Sequence, residues 1–240
     1  MTEWFEQWFG EEYLRLYPHR DERDAAEAVA LVDRTVPLAG RRALDLACGP
    51  GRHATHLAAR GARTVGFDLS LPLLARARSR AGRAVQFVRG DMRRLPFGPA
   101  TFDVVVNLFT SFGYFAEDAQ HAAVLRSVAT LLTRGGTFVL DYFNAPWVRQ
   151  ALVPREERVV GRQRVIVERH ISADERFVTK EMHLLDDGRS FLERVRLFTP
   201  DDLERLLGSA GLHITHRFGD YGGAPLTPAT PRAILVSCRR

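Results

Sequence analysis

The fifteen residues from Ala43 to Leu57, ALDLACGPGRHATHL, constrain this chain more than any other stretch. An apolar run, a turn carrying Gly49 and Gly51, and a helix start follow one another, the order of a buried strand feeding a helix. Glycines at such a turn let backbone amides approach a ligand, and the helix N-terminus adds a positive end. A nucleotide-like ligand is therefore expected. No Gly-Lys-Ser/Thr follows, so the phosphate loop of nucleotide triphosphatases is not met. Gly49, Gly51 and Ala54 do satisfy the dinucleotide fingerprint, with Asp68 at the end of the next strand to bond ribose hydroxyls. Three features point away from a dinucleotide. Asp45 at the end of the strand would repel a pyrophosphate but suits a ligand carrying an ammonium and a sulfonium. "RGDM" places Asp91 to accept from an adenine amino group, with Met92 against the ring. Helices precede the first strand, whereas dinucleotide domains often begin with it.

Strands and helices alternate from Arg41 to Phe143. "RRALDLAC", "ARTVGFD", "AVQFVRG", "FDVVVNLF" and "TFVLDYF" read as strands. Runs such as "FDVVV" suit strands covered on both faces, hence a parallel sheet. "SLPLLARARSRAG" reads as a helix capped by Ser70 with Pro72 in its first turn, and "EDAQHAAVLRSVATLLTRGG" as an amphipathic helix ended by Gly135. After Asn144 the rhythm changes to three long strands, "ERVVGRQRVIVERHIS", "RFVTKEMHLL" and "SFLERVRLF", an antiparallel meander. "TPDDLERLLGSAG" is a helix with Thr199 as N-cap and Pro200 at its first position. Two strands close the chain, joined by "GDYGGAPLTPATP", too long for a plain hairpin, with Asp220 and Tyr221 bordering the site. The fold expected is α/β: a doubly wound, seven-stranded, mostly parallel sheet with an inserted meander. The 240 residues form one domain, with N-terminal lid helices at 1–36, a core at 41–143, inserted strands at 157–198 and a C-terminal helix and strands at 199–240.

The net charge of +5 invites a nucleic-acid reading, but Lys180 is the sole lysine and the arginines are scattered rather than clustered. Nucleic acid is therefore an unfavoured partner. No apolar run reaches the roughly 18–20 residues needed to cross a membrane, and the acidic, aromatic N-terminus lacks signal-peptide features. Cys48 and Cys238, far apart, fit a reducing cytoplasm and no metal cluster.

Taken in order, "LDLACGPGRH", "GFDLS", "RGDM", "FDVVVNLFTSFGYF" and "RGGTFVLDYF" resemble a class I S-adenosylmethionine-dependent methyltransferase over roughly Arg41 to Phe143. The resemblance implies a Rossmann-like sheet with an antiparallel last strand, and S-adenosylmethionine as cofactor. It places Ala47, Gly49 and Gly51 at the methionine end, Asp68 on the ribose with Leu69 beside it, and Asp91 and Met92 on the adenine. Asn107 and Leu108 meet the amino-acid part. "EEYLRLYPHRD" resembles the lead helix of small-molecule members, where it closes over the cofactor. Tyr13 and Tyr17 then become candidates to face the sulfonium and Arg20 to pair with the methionine carboxylate. Trp4, Phe5, Trp8, Phe9, Tyr13 and Tyr17 form an aromatic stripe that serves as core, lid or both.

Methyl transfer needs alignment and exclusion of water more than a strong base. Candidates for the catalytic side are Tyr114 and Ser111 in "TSFGYF", Tyr142 and Asn144 in "DYFN", and His19 from the lid. The Pro-Pro pattern of amino-methylating enzymes that act on DNA, RNA and some proteins is replaced by "NLFTSF". The meander resembles strands that roof the acceptor pocket in small-molecule members, and its edges could instead pair in a homodimer. The expectation is methylation of a small amine or hydroxyl compound. The alternatives are an RNA methyltransferase and a non-catalytic regulator that binds the cofactor.

Overall fold

The structure, a computed structural model, describes residues 3–17 and 22–240. Seven strands form the main sheet: β1 (Arg42–Leu46), β2 (Arg63–Asp68), β3 (Val85–Arg89), β4 (Phe102–Asn107), β5 (Leu132–Phe143), β10 (Leu212–Phe218) and β11 (Arg232–Arg239). Their order is β10-β11-β5-β4-β1-β2-β3. β11 runs antiparallel to both neighbours while the remaining pairs are parallel. The strand order therefore reverses between β1 and β4, where open α/β sheets place their ligands.

Residue alternation divides the core into two layers. Leu44, Leu46, Val105, Phe138, Leu140 and Leu235 point one way, onto Val124, Leu125 and Val128 of α6 (Asp118–Leu131) and Leu203 and Leu207 of α8 (Pro200–Ser209). Ala43, Val104, Val106, Val139, Ile234 and Val236 point the other way, onto α3 (Glu22–Thr35) and Leu57 of α4 (Arg52–Ala59). Each such aliphatic side chain, fully buried, contributes roughly 1.5–3 kcal/mol. Local signals set the helix starts. The Ser70 hydroxyl accepts from the Leu73 amide at the start of α5 (Leu71–Ala81). Thr199 and Asp202 complete a capping box at α8.

Three expectations change. The meander has four strands, β6 (Arg155–Val160), β7 (Gln163–Ile171), β8 (Phe177–Leu184) and β9 (Ser190–Arg196), because the chain reverses at Gly161, which has φ +63°. The first of the three expected strands is thus a hairpin. α6 stops at Leu131 rather than at Gly135: Leu132 is already extended and pairs with Phe102, and the register then shifts before Val104 meets Thr137. The aromatic stripe is two short helices, α1 (Trp4–Trp8) and α2 (Glu11–Leu16), broken at Gly10.

Those two helices join the small sheet to the large one. Trp8, Tyr13 and Leu16 pack with Leu73 of α5 and with Val165, Val167, Met182 and Leu184 of the meander. Glu193 on β9 receives the Trp8 indole N–H at 2.8 Å and the Tyr17 hydroxyl at 3.2 Å, and pairs with Lys180 at 3.5 Å. Among the described residues, no helix is long and apolar enough to cross a membrane.

Candidate active site

A cavity of about 460 Å³ opens at the carboxyl ends of β1, β2 and β4, under α1 and α2. That volume lies within the ~300–1,000 Å³ usual for small-molecule sites. Its floor is the glycine turn. Ala47, Gly49 and Gly51 all have positive φ, at 60°, 53° and 76°, so the chain reverses sharply between β1 and α4. The Gly49 amide donates to Asp68 Oδ2 at 2.8 Å, and the Ser70 amide donates to Oδ1 at 2.8 Å. One carboxylate thus ties the first turn to the end of β2. Burial pushes the Asp68 carboxyl up, against the lowering effect of these amides. Each of its oxygens keeps a second lone pair for a ligand hydroxyl.

Asp91 lies further along the wall. Burial pushes its carboxyl up, but the bonds from Arg93 outweigh that and hold it below the usual range. Arg93 Nε donates to Oδ2 at 2.8 Å, and the Arg93 amide donates to Oδ1 at 2.8 Å.

Of the residues expected at the cofactor, Tyr13, Ala47, Gly49, Asp68, Leu69, Asp91, Met92 and Leu108 line this one cavity, together with Tyr114 and Ser111 from the catalytic candidates. The Tyr114 hydroxyl donates to the Thr110 carbonyl at 2.9 Å, and its ring stacks on Phe9 with centroids 5.5 Å apart. Tyr17 stands outside the lining, engaged with Glu193 and Met182. His19 and Arg20 lie outside the described residues.

Other expected site residues stand behind the wall. Gly51 faces α5: a Cβ there would lie 2.8 Å from the Ala77 Cβ, so its role is close helix packing. Asn107 is buried and donates to the Leu46 carbonyl at 2.9 Å, tying β4 to β1. Asp45 is 1 % exposed and accepts the Ala54 amide in the first turn of α4, which makes it an internal helix cap. Burial, opposed by that amide and by Arg52 and reinforced by the charge of Asp68, raises its carboxyl to about 7. Its Oδ2 has no hydrogen-bond partner among the described residues.

Tyr142 is corrected more sharply. It is fully buried in the α6 layer, its hydroxyl donates to the Arg196 carbonyl, and burial raises the phenol well above its usual range. It is absent from the cavity lining. Asn144 is likewise internal, donating to the Thr227 and Thr230 carbonyls at 2.8 and 2.7 Å. Asp220 and Tyr221 are also absent from the lining: Asp220 accepts the Gly223 and Ala224 amides at 2.9 Å, and Tyr221 bonds Asp141.

Several lining residues carried no sequence signal. His53, in the first turn of α4, is buried and uncharged: desolvation first, then Arg52, His56 and Arg232, lower its pKa to about 3. Arg52 lies over the Phe109 ring, 5.5 Å from its centroid. Phe109 and Thr110 have φ of 61° and 59°, a left-handed pair that costs non-glycine residues about 1–2 kcal/mol each. Phe5 and Phe9, by contrast, belong to the aromatic stripe expected as core, lid or both, and they line the cavity with Phe115.

Comparison with known proteins gives this arrangement its context. Residues 43–136 match a family described as a methyltransferase domain. The chain is 33 % identical to the cypemycin N-terminal methyltransferase of a Streptomyces species, over 90 % of this chain and 89 % of that protein. It is 32 % identical to the dTDP-3-amino-3,6-dideoxy-alpha-D-glucopyranose N,N-dimethyltransferase of Streptomyces fradiae, over 88 % and 85 %. Among solved structures it superposes on the CcbJ methyltransferase of Streptomyces caelestis with a TM-score of 0.82 at 22 % identity, covering 97 % of this chain and 98 % of that one. With the glycine turn, the two wall carboxylates and this extent of likeness together, the chain belongs to the S-adenosylmethionine-dependent methyltransferases.

Proposed function

We propose that the protein methylates an amine nitrogen of a small molecule. The observation that carries this reading is a cavity of small-molecule size whose lining combines the carboxylates of Asp68 and Asp91 with aromatic rings and a neutral imidazole. The groups present fit the cofactor: two separated carboxylates for ribose and adenine, and a close-approach glycine turn for the amino-acid arm. When bound, S-adenosylmethionine supplies a methyl already activated on sulfur.

The chain's own residues then have these roles. Asp68 accepts from the ribose hydroxyls, with Leu69 beside them, and Asp91 and Met92 hold the adenine. Ala47 and Gly49 present backbone to the methionine arm, while Leu108 and Phe109 form its opposite wall. The Tyr13 ring covers the sulfur. Tyr114, Ser111 and uncharged His53 orient the acceptor, and α1 and α2 exclude water. In this reading α1 and α2 of the N-terminal segment 1–36 are the lid, 41–143 the cofactor core, and the meander the brace that holds the lid. Two free cysteines fit a cytoplasmic setting.

Nitrogen is favoured over oxygen for two reasons. The two relatives above are, by their names, an N-terminal methyltransferase and an amino-sugar N,N-dimethyltransferase. A hydroxyl acceptor would need a stronger base than an imidazole whose pKa is about 3. The test incubates the protein and S-adenosylmethionine with paired amines and hydroxyl analogues, including the 3-amino-3,6-dideoxyglucose nucleotide and a short peptide, and in parallel with RNA. Methylated amine is expected, with one S-adenosylhomocysteine formed for each methyl group transferred. Methylation of hydroxyl partners alone would overturn the nitrogen assignment, methylation of RNA alone would restore that alternative, and binding without turnover on any acceptor would favour the regulator.

A further inference from the structure

The left-handed pair Phe109–Thr110 follows β4, where Phe109 lines the cavity. Tyr114, four residues on, bonds the Thr110 carbonyl, but neither residue of the pair is glycine or asparagine and β-branched residues resist this conformation. The groups that hold it come from β5 and from the far side of the β10–β11 loop. The Thr110 amide donates to the Asp141 carbonyl at 2.9 Å, and the Phe109 amide donates to Asp141 Oδ2 at 2.7 Å. Tyr221 donates its hydroxyl to the same Oδ2 at 2.8 Å. Arg232 Nε meets Oδ1 at 2.7 Å, and its Nη2 reaches Thr110 Oγ1 at 3.2 Å. Two guanidiniums lie over the Phe109 ring, Arg232 at 5.6 Å and Arg52 at 5.5 Å from its centroid.

Asp141 is fully buried, and neither it nor Arg232 nor Tyr221 lines the cavity. Even so, the carboxylate and carbonyl of this one residue fix two successive amides of the wall. The loop is itself anchored at Asn144, which holds the Thr227 and Thr230 carbonyls, and at Arg34, which donates to the Tyr221 carbonyl at 3.2 Å. We infer that Asp141, Arg232 and Tyr221 are positioning residues that hold the Phe109–Thr110 turn left-handed and so shape the subsite for the cofactor's methionine arm. The β10–β11 loop, expected to border the acceptor, thus acts on the site through the Tyr221 hydroxyl, which bonds the buried Asp141–Arg232 ion pair. The inference rests on assigning this end of the cavity to the methionine arm.

The test compares S-adenosylhomocysteine with 5′-methylthioadenosine, which keeps the nucleoside and lacks the amino-acid arm. Calorimetry is run on wild type, Asp141→Asn, Tyr221→Phe, Thr110→Gly, and Asp141→Asn combined with Thr110→Gly. Asp141→Asn should weaken S-adenosylhomocysteine about tenfold, or about 1.4 kcal/mol, and leave methylthioadenosine within about twofold. Glycine accepts the left-handed conformation without the bracket, so Thr110→Gly should restore most of the lost affinity in the Asp141→Asn background. Rescue separates positioning from a general loss of packing, which glycine would worsen. Equal weakening of both ligands, no weakening, or selective weakening without rescue overturns the inference. Should Asp141→Asn not fold, Tyr221→Phe carries the test: it must weaken S-adenosylhomocysteine more than methylthioadenosine, and equal effects overturn the inference. A wild type that bound methylthioadenosine but not S-adenosylhomocysteine would instead count against the cofactor assignment.

Discussion

Replacing Asp45 with asparagine isolates the energetic consequence of placing a carboxylate behind the glycine turn. The side chain is 1 % exposed, accepts the Ala54 amide, and leaves Oδ2 unpartnered among the described residues. Asparagine keeps an acceptor for that amide and removes the charge. Burial raises the native carboxyl from 3.8 to about 7, a shift of about three units. At 1.36 kcal/mol per unit this corresponds to about 4 kcal/mol as an order of magnitude. Below the unfolded value the group is protonated in both states and carries no penalty. Between 3.8 and about 7 the folded protein holds a proton that the unfolded chain has lost, so stability falls as pH rises. Above about 7 the ionised carboxylate carries the whole penalty. Urea unfolding of wild type and Asp45→Asn in parallel should therefore show a gap that opens with pH, in favour of the variant, and levels off near pH 8 at up to about 4 kcal/mol. Titrations common to both proteins cancel in the difference. A gap that is constant across pH, or one that favours wild type at high pH, would refute the reasoning.

Gly51→Ala should destabilise by at least about 2 kcal/mol in urea, because the new Cβ combines overpacking with a left-handed backbone; it would lie 2.8 Å from the Ala77 Cβ at a φ of +76°. Tyr142→Phe removes one of the two donors on the Arg196 carbonyl, which keeps the Phe198 amide at 3.1 Å, and should cost about 0.5–1.5 kcal/mol of stability. S-adenosylhomocysteine affinity and turnover should be unchanged by it, and a loss of turnover with normal stability would return Tyr142 to the catalytic set. Glu193→Gln removes the charge that pairs with Lys180 and receives Trp8 and Tyr17. Protease cleavage within α1 and α2 should then accelerate about fivefold, for a loss of about 1 kcal/mol.

The sequence by itself determined the parts of this protein that depend on neighbours along the chain. The strand–turn–helix at Ala43–Leu57, the caps at Ser70 and Thr199, and the α/β alternation are short-range patterns that any fold must honour. Asp68 was legible because it ends a strand adjacent to the glycine turn, so two local readings place it at one point. The division of labour within strands was not legible. Asp141 and Tyr142 alternate along β5, but both faces of that strand are covered, so alternation carries no polar–apolar signal to say which side chain meets a ligand. The hairpin at Gly161 was hidden because two β-rich segments joined by a tight turn read as one continuous strand. Gly51 and Asp45 changed roles for a related reason: whether a residue faces the ligand or a packed helix depends on where α5 and α4 lie. The Asp141–Arg232 pair spans 91 positions, and Tyr221 reaches Asp141 across 80. Only the tertiary structure brings those three groups onto Phe109 and Thr110, because a left-handed pair of non-glycine residues persists where distant, buried partners hold it, and no local pattern records them.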